Sequence, residues 1–249
     1  MPGAEVRVSV GLASHDGEAW IGEQVRSILE QLGPDDELVV VDDASTDATV
    51  AVLEGFDDVR ISLSHNDVNL GSVRTFERAL ELARGAYLLL SDQDDLWVPG
   101  RVDAMVAALQ GDAVVATSVA VLGEAGPPRW PLRAADSHRF MPNLLAVLVG
   151  VRWYFGCAMG VRRDLLSAVL PFPPWLTESH DLWLGIVGNT HGQMRHLETP
   201  SLQRRLHGAN QTPLGWRSLP AVLGARLMLG RCVVEAGHRR RRGLRPAAG

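Results

Sequence analysis

The sequence predicts an α/β fold in which a mixed, mostly parallel sheet is flanked by helices and followed by a C-terminal helical segment. Residues 37–41 and 87–90 are short apolar runs that stop at acidic residues, as expected of strands buried on both faces of a parallel sheet. Helical patterns of apolar residues separate these runs, and such alternation is typical of parallel sheets. A chain of 249 residues is long enough for one such domain with additions.

The first half of the chain alternates between strand and helix patterns. We expect strands at residues 5–12, 37–41, 59–64 and 87–90. The helices between them are expected at 17–32, where Gly33-Pro34 ends the pattern, at 48–54 and at 72–83. Ser45 or Thr46 is the expected N-cap of the second helix.

The second half is less regular. We expect a helix at 100–109 after Pro99, one strand over 112–122, a helix at 143–151, and a helix that begins near Glu178. Residues 123–139 contain Pro, Gly and mixed charge, which is typical of a surface loop. This loop either closes over a substrate or is a plain variable connection.

Two carboxylates follow the apolar run at 87–90. Asp92 and Asp94 are two residues apart, so in extended backbone both project to the same side while Gln93 points away. Ligands of open α/β sheets bind at such carboxyl ends of central strands. Close carboxylates raise one another's pKa, and a divalent cation such as Mg²⁺ or Mn²⁺, shared with substrate phosphates, relieves this. The alternative is a solvated acidic turn.

A second acid pair, Asp42-Asp43, follows the strand at 37–41 and is expected at the same edge of the sheet. Because neighbouring residues of a strand face opposite ways, we expect one carboxylate to be structural and the other to reach a ligand. Such a carboxylate can accept hydrogen bonds from a nucleotide. The alternative is a pair of helix-capping acids. No Gly-x-Gly-x-x-Gly motif follows the first strand, which argues against a nicotinamide dinucleotide site.

Composition excludes several classes of protein. All 24 residues counted as Lys or Arg are arginine, which removes P-loop NTPases and Schiff-base enzymes. Eleven of these arginines lie after residue 194, beside only Glu198 and Glu235. An acidic body with a basic C-terminal segment predicts contact with a phosphate-bearing substrate or an anionic membrane surface rather than with nucleic acid.

The expected compartment is the cytoplasm. The sequence shows neither an apolar stretch of transmembrane length nor the pattern of a signal peptide at its start. Cys157 and Cys232 lie in apolar contexts and are expected to be reduced core residues rather than a disulfide.

Four segments taken together resemble family-2 inverting glycosyltransferases of the GT-A fold. They are GLASHDGEAW at 11–20, VVVDDASTDAT at 39–49, NDVNLGSVRTFERAL at 66–80 and LLLSDQDDLWVPGRV at 88–102. The resemblance covers about residues 5–210 and is strongest to the bacterial branch often described as rhamnosyltransferases. It implies that Asp43 binds the nucleotide base, Asp92 the ribose, and Asp94 the metal that bridges the donor's diphosphate.

The resemblance also implies the rest of the donor site. His15 stands where the family usually has a Tyr that stacks near the base, and Asp16 replaces a usual Asn. Ala13 and Gln93 are expected beside the donor. Residues 203–210, QRRLHGAN, resemble a Y-R-x-H-x-x-N segment, in which Arg205 binds phosphate and His207 completes the metal site or contacts the diphosphate. Arg204 takes the place of the usual Tyr.

The acceptor side is expected around residues 155–162 and 178–183. By resemblance, Gly156 lies near the sugar, and Asp181 matches the family's general base. His180 could instead be the base, and Asp181 alone could simply favour the helix dipole. Trp183 is expected on the acceptor side as well.

The last segment has a different character. Apolar residues at 219–234 are interrupted by arginines and followed by Arg239–Arg242. This pattern predicts an amphipathic helix with a basic end that lies on an anionic bilayer, where a lipid-linked acceptor would be found. The alternative is a helix that packs on the domain, followed by a disordered tail.

These observations predict a GT-A domain at 1–213, with a donor half at about 1–122 and an acceptor half at about 140–213, and a helix with a basic tail at 214–249. The expected reaction is metal-dependent inverting transfer of a sugar, with rhamnose from a dTDP donor as the best single candidate. A UDP donor and a glycan, lipid-linked or small-molecule acceptor are also expected. The alternatives are a non-catalytic sugar-nucleotide-binding module or partner subunit, and a sugar-phosphate nucleotidyltransferase, whose Gly-rich first loop and Lys are absent.

Overall fold

The computed structural model describes residues 6–128, 130–207 and 218–243. Its strands form a seven-stranded sheet in the order β3-β2-β1-β4-β8-β6-β9 and a three-stranded sheet in the order β5-β10-β7. The predicted α/β class, with a mostly parallel sheet flanked by helices, is confirmed. The strands are β1 (Val8–Ser14), β2 (Glu37–Asp42), β3 (Ile61–His65), β4 (Tyr87–Ser91), β5 (Leu96–Trp97), β6 (Val114–Thr117), β7 (Ala120–Val121), β8 (Met159–Arg162), β9 (Met194–Leu197) and β10 (Leu202–Arg204).

Helices cover both faces of the large sheet. They are α1 (Ile21–Leu29), α2 (Thr49–Glu54), α3 (Ser72–Leu82), α4 (Arg101–Gly111), α5 (Phe140–Val149), α6 (Leu166–Val169), α7 (His180–His191) and α8 (Leu219–Gly243). One core layer contains the apolar faces of α1 and α4, and the other contains those of α3, α5, α7 and α8. The two layers fix the sheet between them, so its carboxyl edge is held in place from both sides.

The register of the parallel strands brings the two acid pairs to one edge of the large sheet. In the parallel pairing of β1 with β2, Ser14 lies opposite Asp42, and in the pairing of β1 with β4, Leu12 lies opposite Ser91. Asp43 and Asp92 are the next residues after β2 and β4. They therefore leave the sheet at the same edge, one on each side of β1, as the sequence predicts for parallel strands.

The expected single strand at 112–122 is wrong, because the chain turns at Ser118. β6 joins the large sheet, between β8 and β9, whereas β7 pairs with β10 in the small sheet. The break is stabilised by the Ser118 N–H, which donates to the Leu197 carbonyl at 3.0 Å. Apolar residues on both sides of the break are buried, so hydrophobicity alone could not reveal it.

The predicted cap of α2 is also wrong. The helix begins at Thr49, whose N–H donates to Asp47 Oδ1 at 2.9 Å. Ser45 donates instead to Asp42, and the Thr46 N–H donates to Asp16 Oδ1 at 2.7 Å. Ser45 and Thr46 therefore connect β2 to the loop after β1 and do not cap the helix.

The loop at 123–139 is attached to the domain at several points. The buried Leu132 donates its N–H to Ser118 Oγ at 2.9 Å, and the Ala134 N–H donates to Glu198 Oε1 at 2.8 Å. Trp130 packs against Phe155 with 5.1 Å between ring centroids. These contacts anchor the middle of the loop beside the segment that precedes β8.

The predicted C-terminal helix exists and packs on the domain. Leu229, Cys232 and Ala236 of α8 are buried in the core layer shared with α5 and α7. Arg239 donates to the carbonyls of α6, and Arg240 donates to the Thr190 carbonyl at 2.7 Å. At least part of the basic end is thus used to attach the helix. The expected boundary at 213–214 and the tail at 244–249 lie outside the described residues.

Both cysteines are free and buried, as the sequence predicts. Across the three described ranges, none of the helices combines the length and hydropathy needed to cross a membrane.

Candidate active site

A cavity of about 850 Å³ opens at the carboxyl edge of the large sheet. Its wall comes from the loops after β1, β2 and β4, from the segment before β8, from the start of α7 and from the end of β10. Ten of the residues predicted from the sequence line it: Ala13, His15, Asp43, Asp92, Gln93, Asp94, Gly156, His180, Asp181 and His207. Residues more than a hundred positions apart in the chain therefore meet in one site.

The two acids after β2 have different environments. Asp42 accepts hydrogen bonds from Ser14 and from Ser45, so it connects the ends of two strands. Asp43 lines the cavity and accepts the N–H groups of Leu70 and Gly71 at 2.9 and 2.8 Å and the Asn66 amide at 2.7 Å. Its Oδ2 accepts only from Gly71 among these three. A carboxylate oxygen has room for a further donor, such as a ring N–H of a base.

Gln93 does not simply point away from the site. Its side-chain amide pairs with the backbone of His15, accepting the His15 N–H at 2.8 Å and donating to the His15 carbonyl at 2.8 Å. The ring of His15 contacts the Asp43 carbonyl through Nδ1 at 2.9 Å and Asn69 through Nε2 at 3.0 Å. Gln93 therefore fixes the loop that presents His15 to the cavity.

Backbone strain is concentrated around this cavity. Asp16, Ala44 and Ser179 have φ values of 45°, 58° and 64°, which side-chain-bearing residues seldom adopt. Asp16 and Ser179 line the cavity, and Ala44 follows Asp43 directly. Such strain persists only where surrounding contacts enforce it, and it is enriched at functional sites.

Two carboxylates and a thiol are crowded at the base of the cavity. Oxygens of Asp92 and Asp95 lie within 4.8 Å of one another and of the Cys157 sulfur. Burial and then the neighbouring carboxylates raise the pKa of Asp92 and of Asp95, and burial raises the pKa of the Cys157 thiol well above its usual range. Asp95 and Cys157 were not predicted, because their proximity depends on the pairing of β4 with β8.

A buried arginine supports this cluster. The Arg101 guanidinium donates to the carbonyl of Cys157 at 2.6 Å and to that of Leu90 at 3.4 Å, and it also contacts Ser201. Burial lowers its pKa to about 10, which still leaves it charged at neutral pH. The three segments that carry Asp92, Gly156 and Arg204 are thereby connected through one side chain.

Asp94 and His207 come together from distant parts of the chain. His207 Nε2 lies 2.7 Å from Asp94 Oδ2, and the His207 ring stacks on Trp20 with 4.0 Å between centroids. The stacking on Trp20 orients the imidazole so that its Nε2 faces Asp94. Asn210, the remaining polar residue of the predicted 203–210 segment, lies outside the described residues.

Gly156, Phe76 and the start of α7 form the part of the cavity where the sequence predicts the acceptor. The His180 ring stacks on Phe76 at 4.3 Å, and its Nε2 is buried with no hydrogen-bond partner in the described structure. Burial lowers the pKa of His180 to about 4, so it is neutral at pH 7. An imidazole with so low a pKa is a weak base, so His180 is poorly suited to be the general base at this pH.

Asp181 lies in the first turn of α7 and lines the same cavity. Burial, followed by the charge of Asp92, raises its pKa to about 7, although the Leu182 N–H donates to its Oδ1 at 2.7 Å. A carboxyl group with a pKa close to the operating pH is suited to accept a proton during a reaction.

Two predicted site residues lie elsewhere. Arg205 does not line the cavity; it pairs with Glu23 at 2.7 Å and donates to the Asp94 carbonyl at 3.2 Å. The neighbouring Arg204 lines the cavity instead, because successive residues of an extended chain face opposite ways. Trp183, expected on the acceptor side, is a core residue that is 0% exposed and donates to the Val169 carbonyl at 3.0 Å.

Arg204 is therefore the cation that the sequence did not single out. Its guanidinium lies 5.0 Å from the centroid of the Phe155 ring. The positive charge of Arg204 partly offsets the rise in the pKa of Asp92 and of Asp181. It is 7% exposed. The sequence shows only that, of two adjacent arginines in an extended segment, one faces the site and the other faces away.

A family model described as "Glycosyl transferase family 2" matches residues 9–170. The chain belongs to glycosyl transferase family 2. The match covers β1 to α6 and includes both acid pairs and Gly156, while α7, β10 and α8 lie beyond it. The resemblance seen in the four sequence segments is thus confirmed at the level of the family.

Curated relatives of this glycosyl transferase are bacterial. The chain is 35% identical over 98 residues to the putative teichuronic acid biosynthesis glycosyltransferase TuaG of Bacillus subtilis, a match that covers 39% of each chain. It is 26% identical over 188 residues to the UDP-Glc:alpha-D-GlcNAc-diphosphoundecaprenol beta-1,3-glucosyltransferase WfgD of Escherichia coli, covering 72% of this chain and 69% of the relative. With the dTDP-rhamnosyl transferase RfbG of Shigella flexneri it shares 33% identity over 106 residues, which are 39% of this chain and 36% of the relative. The chain thus spans well under half the length of two of these three relatives.

Two solved structures share the fold of this family-2 chain. Staphylococcus aureus TarS 1-349 in complex with UDP-GlcNAc matches with a TM-score of 0.69 at 17% identity, over 94% of this chain and 72% of the other. Glucosyl-3-phosphoglycerate synthase from Mycobacterium tuberculosis, in complex with Mn²⁺, UDP and phosphoglyceric acid, matches with a TM-score of 0.60 at 21% identity. The match covers 99% of this chain and 81% of the other. The GT-A fold expected from the resemblance is confirmed.

The acids at this edge of the sheet fit a divalent cation. Asp94 supplies a carboxylate and His207 an imidazole, with Oδ2 and Nε2 2.7 Å apart, and Asp92 lines the same cavity. Burial and then the charge of Asp94 raise the pKa of Asp92, and a cation would relieve the repulsion between the two carboxylates. The protonated thiol of Cys157 is a poor ligand for a hard cation, so oxygen and imidazole donors fit best.

Proposed function

We propose that the chain transfers a sugar from a nucleoside diphosphate donor to an acceptor hydroxyl with inversion at the anomeric carbon. One observation carries this proposal: Asp181, with a pKa of about 7, lines the same cavity as the Asp92, Asp94 and His207 group. A base and a diphosphate site facing a shared space are what single displacement requires.

The donor occupies the side of the cavity formed by the loops after β1, β2 and β4. Asp43 accepts a ring N–H of the base through Oδ2, and His15, fixed by Gln93, packs beside the ring. Asp92 binds the ribose. When bound, a divalent cation, Mg²⁺ or Mn²⁺, at Asp94 and His207 supplies charge stabilisation to the diphosphate. Arg204 adds a guanidinium that binds phosphate oxygens through its planar fork.

The acceptor enters from the side of α7. Asp181 accepts the proton of the acceptor hydroxyl while the oxygen bonds to the anomeric carbon. The bond between that carbon and the diphosphate oxygen breaks on the opposite face, and the negative charge passes to the diphosphate. His180 holds the start of α7 in place by packing between Gly156 and Phe76, and the absence of a side chain at Gly156 leaves room for its ring.

The donor base is proposed to be a pyrimidine, uracil or thymine, because both offer a ring N–H to Asp43 and the names of relatives carry these two bases rather than guanine. The name of WfgD carries UDP-Glc and that of RfbG carries dTDP-rhamnosyl. dTDP-rhamnose is the candidate that the sequence motifs favour, and UDP-glucose is its competitor.

The acceptor is proposed to be a hydroxyl of a glycan or of a lipid-linked sugar. The name of WfgD includes a diphosphoundecaprenol acceptor, and that of TuaG includes teichuronic acid biosynthesis. Activity at the cytoplasmic face of the membrane, with peripheral contact through α8, follows from such an acceptor.

Thermal unfolding with UDP, dTDP and GDP, each with and without Mn²⁺, tests the donor site, because a ligand that binds only the folded state raises the midpoint. We expect a Mn²⁺-dependent rise with UDP or dTDP, which Asp94→Asn abolishes. Asp57→Asn, on an acid outside the cavity, is the matched control and should keep the rise. No rise with any nucleotide at millimolar concentration would contradict the proposal.

A further inference from the structure

Part of the wall of this cavity comes from α5, from the segment that follows it and from α8, and we call this part the cleft. This part is lined by Val147, Gly150, Arg152, Trp153, Val222 and Arg226. The α8 residues of this cleft lie beyond the residues that match the family model.

Arg226 gives the cleft a positive charge. Its guanidinium lies over Gly150, where a β-carbon would overlap it, and Nη1 makes one long contact, 3.4 Å, to the Val147 carbonyl. Within the described ranges no carboxylate pairs with Arg226, whereas the nearby Arg152 is neutralised by Asp136 at 2.7 Å. A partly buried guanidinium with five donors and one weak internal contact is able to bind an anion bidentately.

Exposed apolar residues adjoin the lining residues of the cleft along the chain. Trp153 is 51% exposed, and Val149 and Val151 are 67% and 71% exposed. On α8, Leu219 and Leu223 are 85% and 61% exposed, one turn apart on the same side of the helix. A soluble monomer rarely exposes neighbouring large apolar residues at the mouth of a cavity unless they contact something.

We propose that this cleft is an acceptor subsite for a phosphate or diphosphate that joins the acceptor sugar to an apolar chain. Arg226 binds the phosphate oxygens, and the apolar chain leaves over Trp153, Val149 and Leu223. The inference rests on the proposed function, since it specifies the acceptor of the same cavity. It is carried by the presence, in one cavity, of the carboxyl group of Asp181, the guanidinium of Arg226 and the exposed ring of Trp153.

Calorimetric binding to the full chain preloaded with Mn²⁺ and UDP tests this subsite. The probes are decyl diphosphate, decanol and inorganic diphosphate, each below its aggregation concentration. Three variants are compared with wild type. Arg226→Met removes the charge, Arg226→Lys keeps it, and Arg231→Met removes an arginine that stacks on Trp175 outside the cavity.

We expect decyl diphosphate to bind more tightly than either decanol or inorganic diphosphate. Arg226→Met should weaken its binding by at least about ten-fold, the loss typical of a charge-assisted hydrogen bond. Arg226→Lys should retain part of the affinity, and Arg231→Met should leave it unchanged.

Equal affinities for decyl diphosphate and decanol, equal effects of Arg226→Met and Arg231→Met, or binding of inorganic diphosphate as tight as that of decyl diphosphate would each overturn the subsite. Failure of UDP to bind at the preloading step would instead contradict the proposed function. The two failures are therefore distinguishable in one experiment.

Discussion

The imidazole of His180 packs against the α-carbon of Gly156, in the space that a β-carbon would take. On its other side the ring stacks on Phe76 at 4.3 Å. His180 is thus held between a glycine and an aromatic ring, one residue before Asp181. Any side chain at position 156 must move the start of α7.

Gly156→Ala should therefore lower kcat by about ten-fold or more, because small misplacements of a catalytic group are costly. Binding of UDP with Mn²⁺ should stay within about two-fold, since the donor side is formed by other loops. Steady-state kinetics and a thermal shift with UDP measure both. Gly111→Ala, at a glycine with no atom near the added carbon, is the control. Equal kcat for the two variants would argue against this packing.

Arg204 and Arg205 should differ sharply in their effect on the donor. Arg204 lines the cavity, whereas Arg205 pairs with Glu23. Arg204→Met should reduce kcat/KM for the donor by about 10- to 100-fold, as expected for loss of a charged hydrogen-bonding group. Arg205→Met should cost less than about five-fold, since ion pairs near the surface contribute little. A larger loss of kcat/KM for the donor in Arg205→Met than in Arg204→Met would support Arg205 as the phosphate-binding residue, as the sequence predicts.

The pH dependence of transfer follows from Asp181. Its pKa is raised to about 7, so the carboxyl is increasingly protonated below that pH and cannot accept the acceptor's proton. The quantity kcat/KM for the acceptor should fall by about ten-fold per pH unit below 7 and level off above it. The groups that act on Asp181 are Asp92, which raises the pKa, and Arg204, which lowers it. A flat profile between pH 5 and 8 would exclude Asp181 as the titrating base.

Ala44→Gly should stabilise the protein. Ala44 has a φ of 58°, which glycine adopts without steric cost, although glycine also gains freedom in the unfolded chain. We expect a net gain of up to about 1 kcal/mol in the free energy of unfolding. Urea denaturation measures it. Ala51→Gly, at an exposed position inside α2, should instead lose about 0.5–1 kcal/mol. A loss at both positions would show that Ala44 is not strained.

Much of the fold was predictable because its first half consists of local patterns. The strands β2 and β4 contain apolar runs that stop at polar residues, β1 and β3 alternate between apolar and small or polar residues, and the helices between them have regular apolar spacing. The edge that holds Asp43 and Asp92 follows directly from parallel pairing. The split between β6 and β7 could not be predicted, because both pieces are buried and only pairing with β9 and β10 separates them.

The site was predictable where a motif places residues on one strand end, and not where distant segments meet. Asp95, Cys157 and Arg101 form a buried cluster across β4, β8 and α4 that leaves no local pattern. Trp183 was misplaced because a helix in contact with both core and cavity shows apolar residues on more than one face. Arg204 and Arg205 differ only in which way an extended chain points, which depends on the register of β10.

The central claim is that Asp181 acts as the base opposite a donor site, and Asp181→Asn tests it most directly. Donor consumption and product formation should be followed with the sugar nucleotide identified by thermal shift, alongside binding of its nucleotide with Mn²⁺. The account predicts that transfer falls by at least about 1,000-fold while nucleotide binding stays unchanged. Turnover within a few-fold of wild type would contradict it.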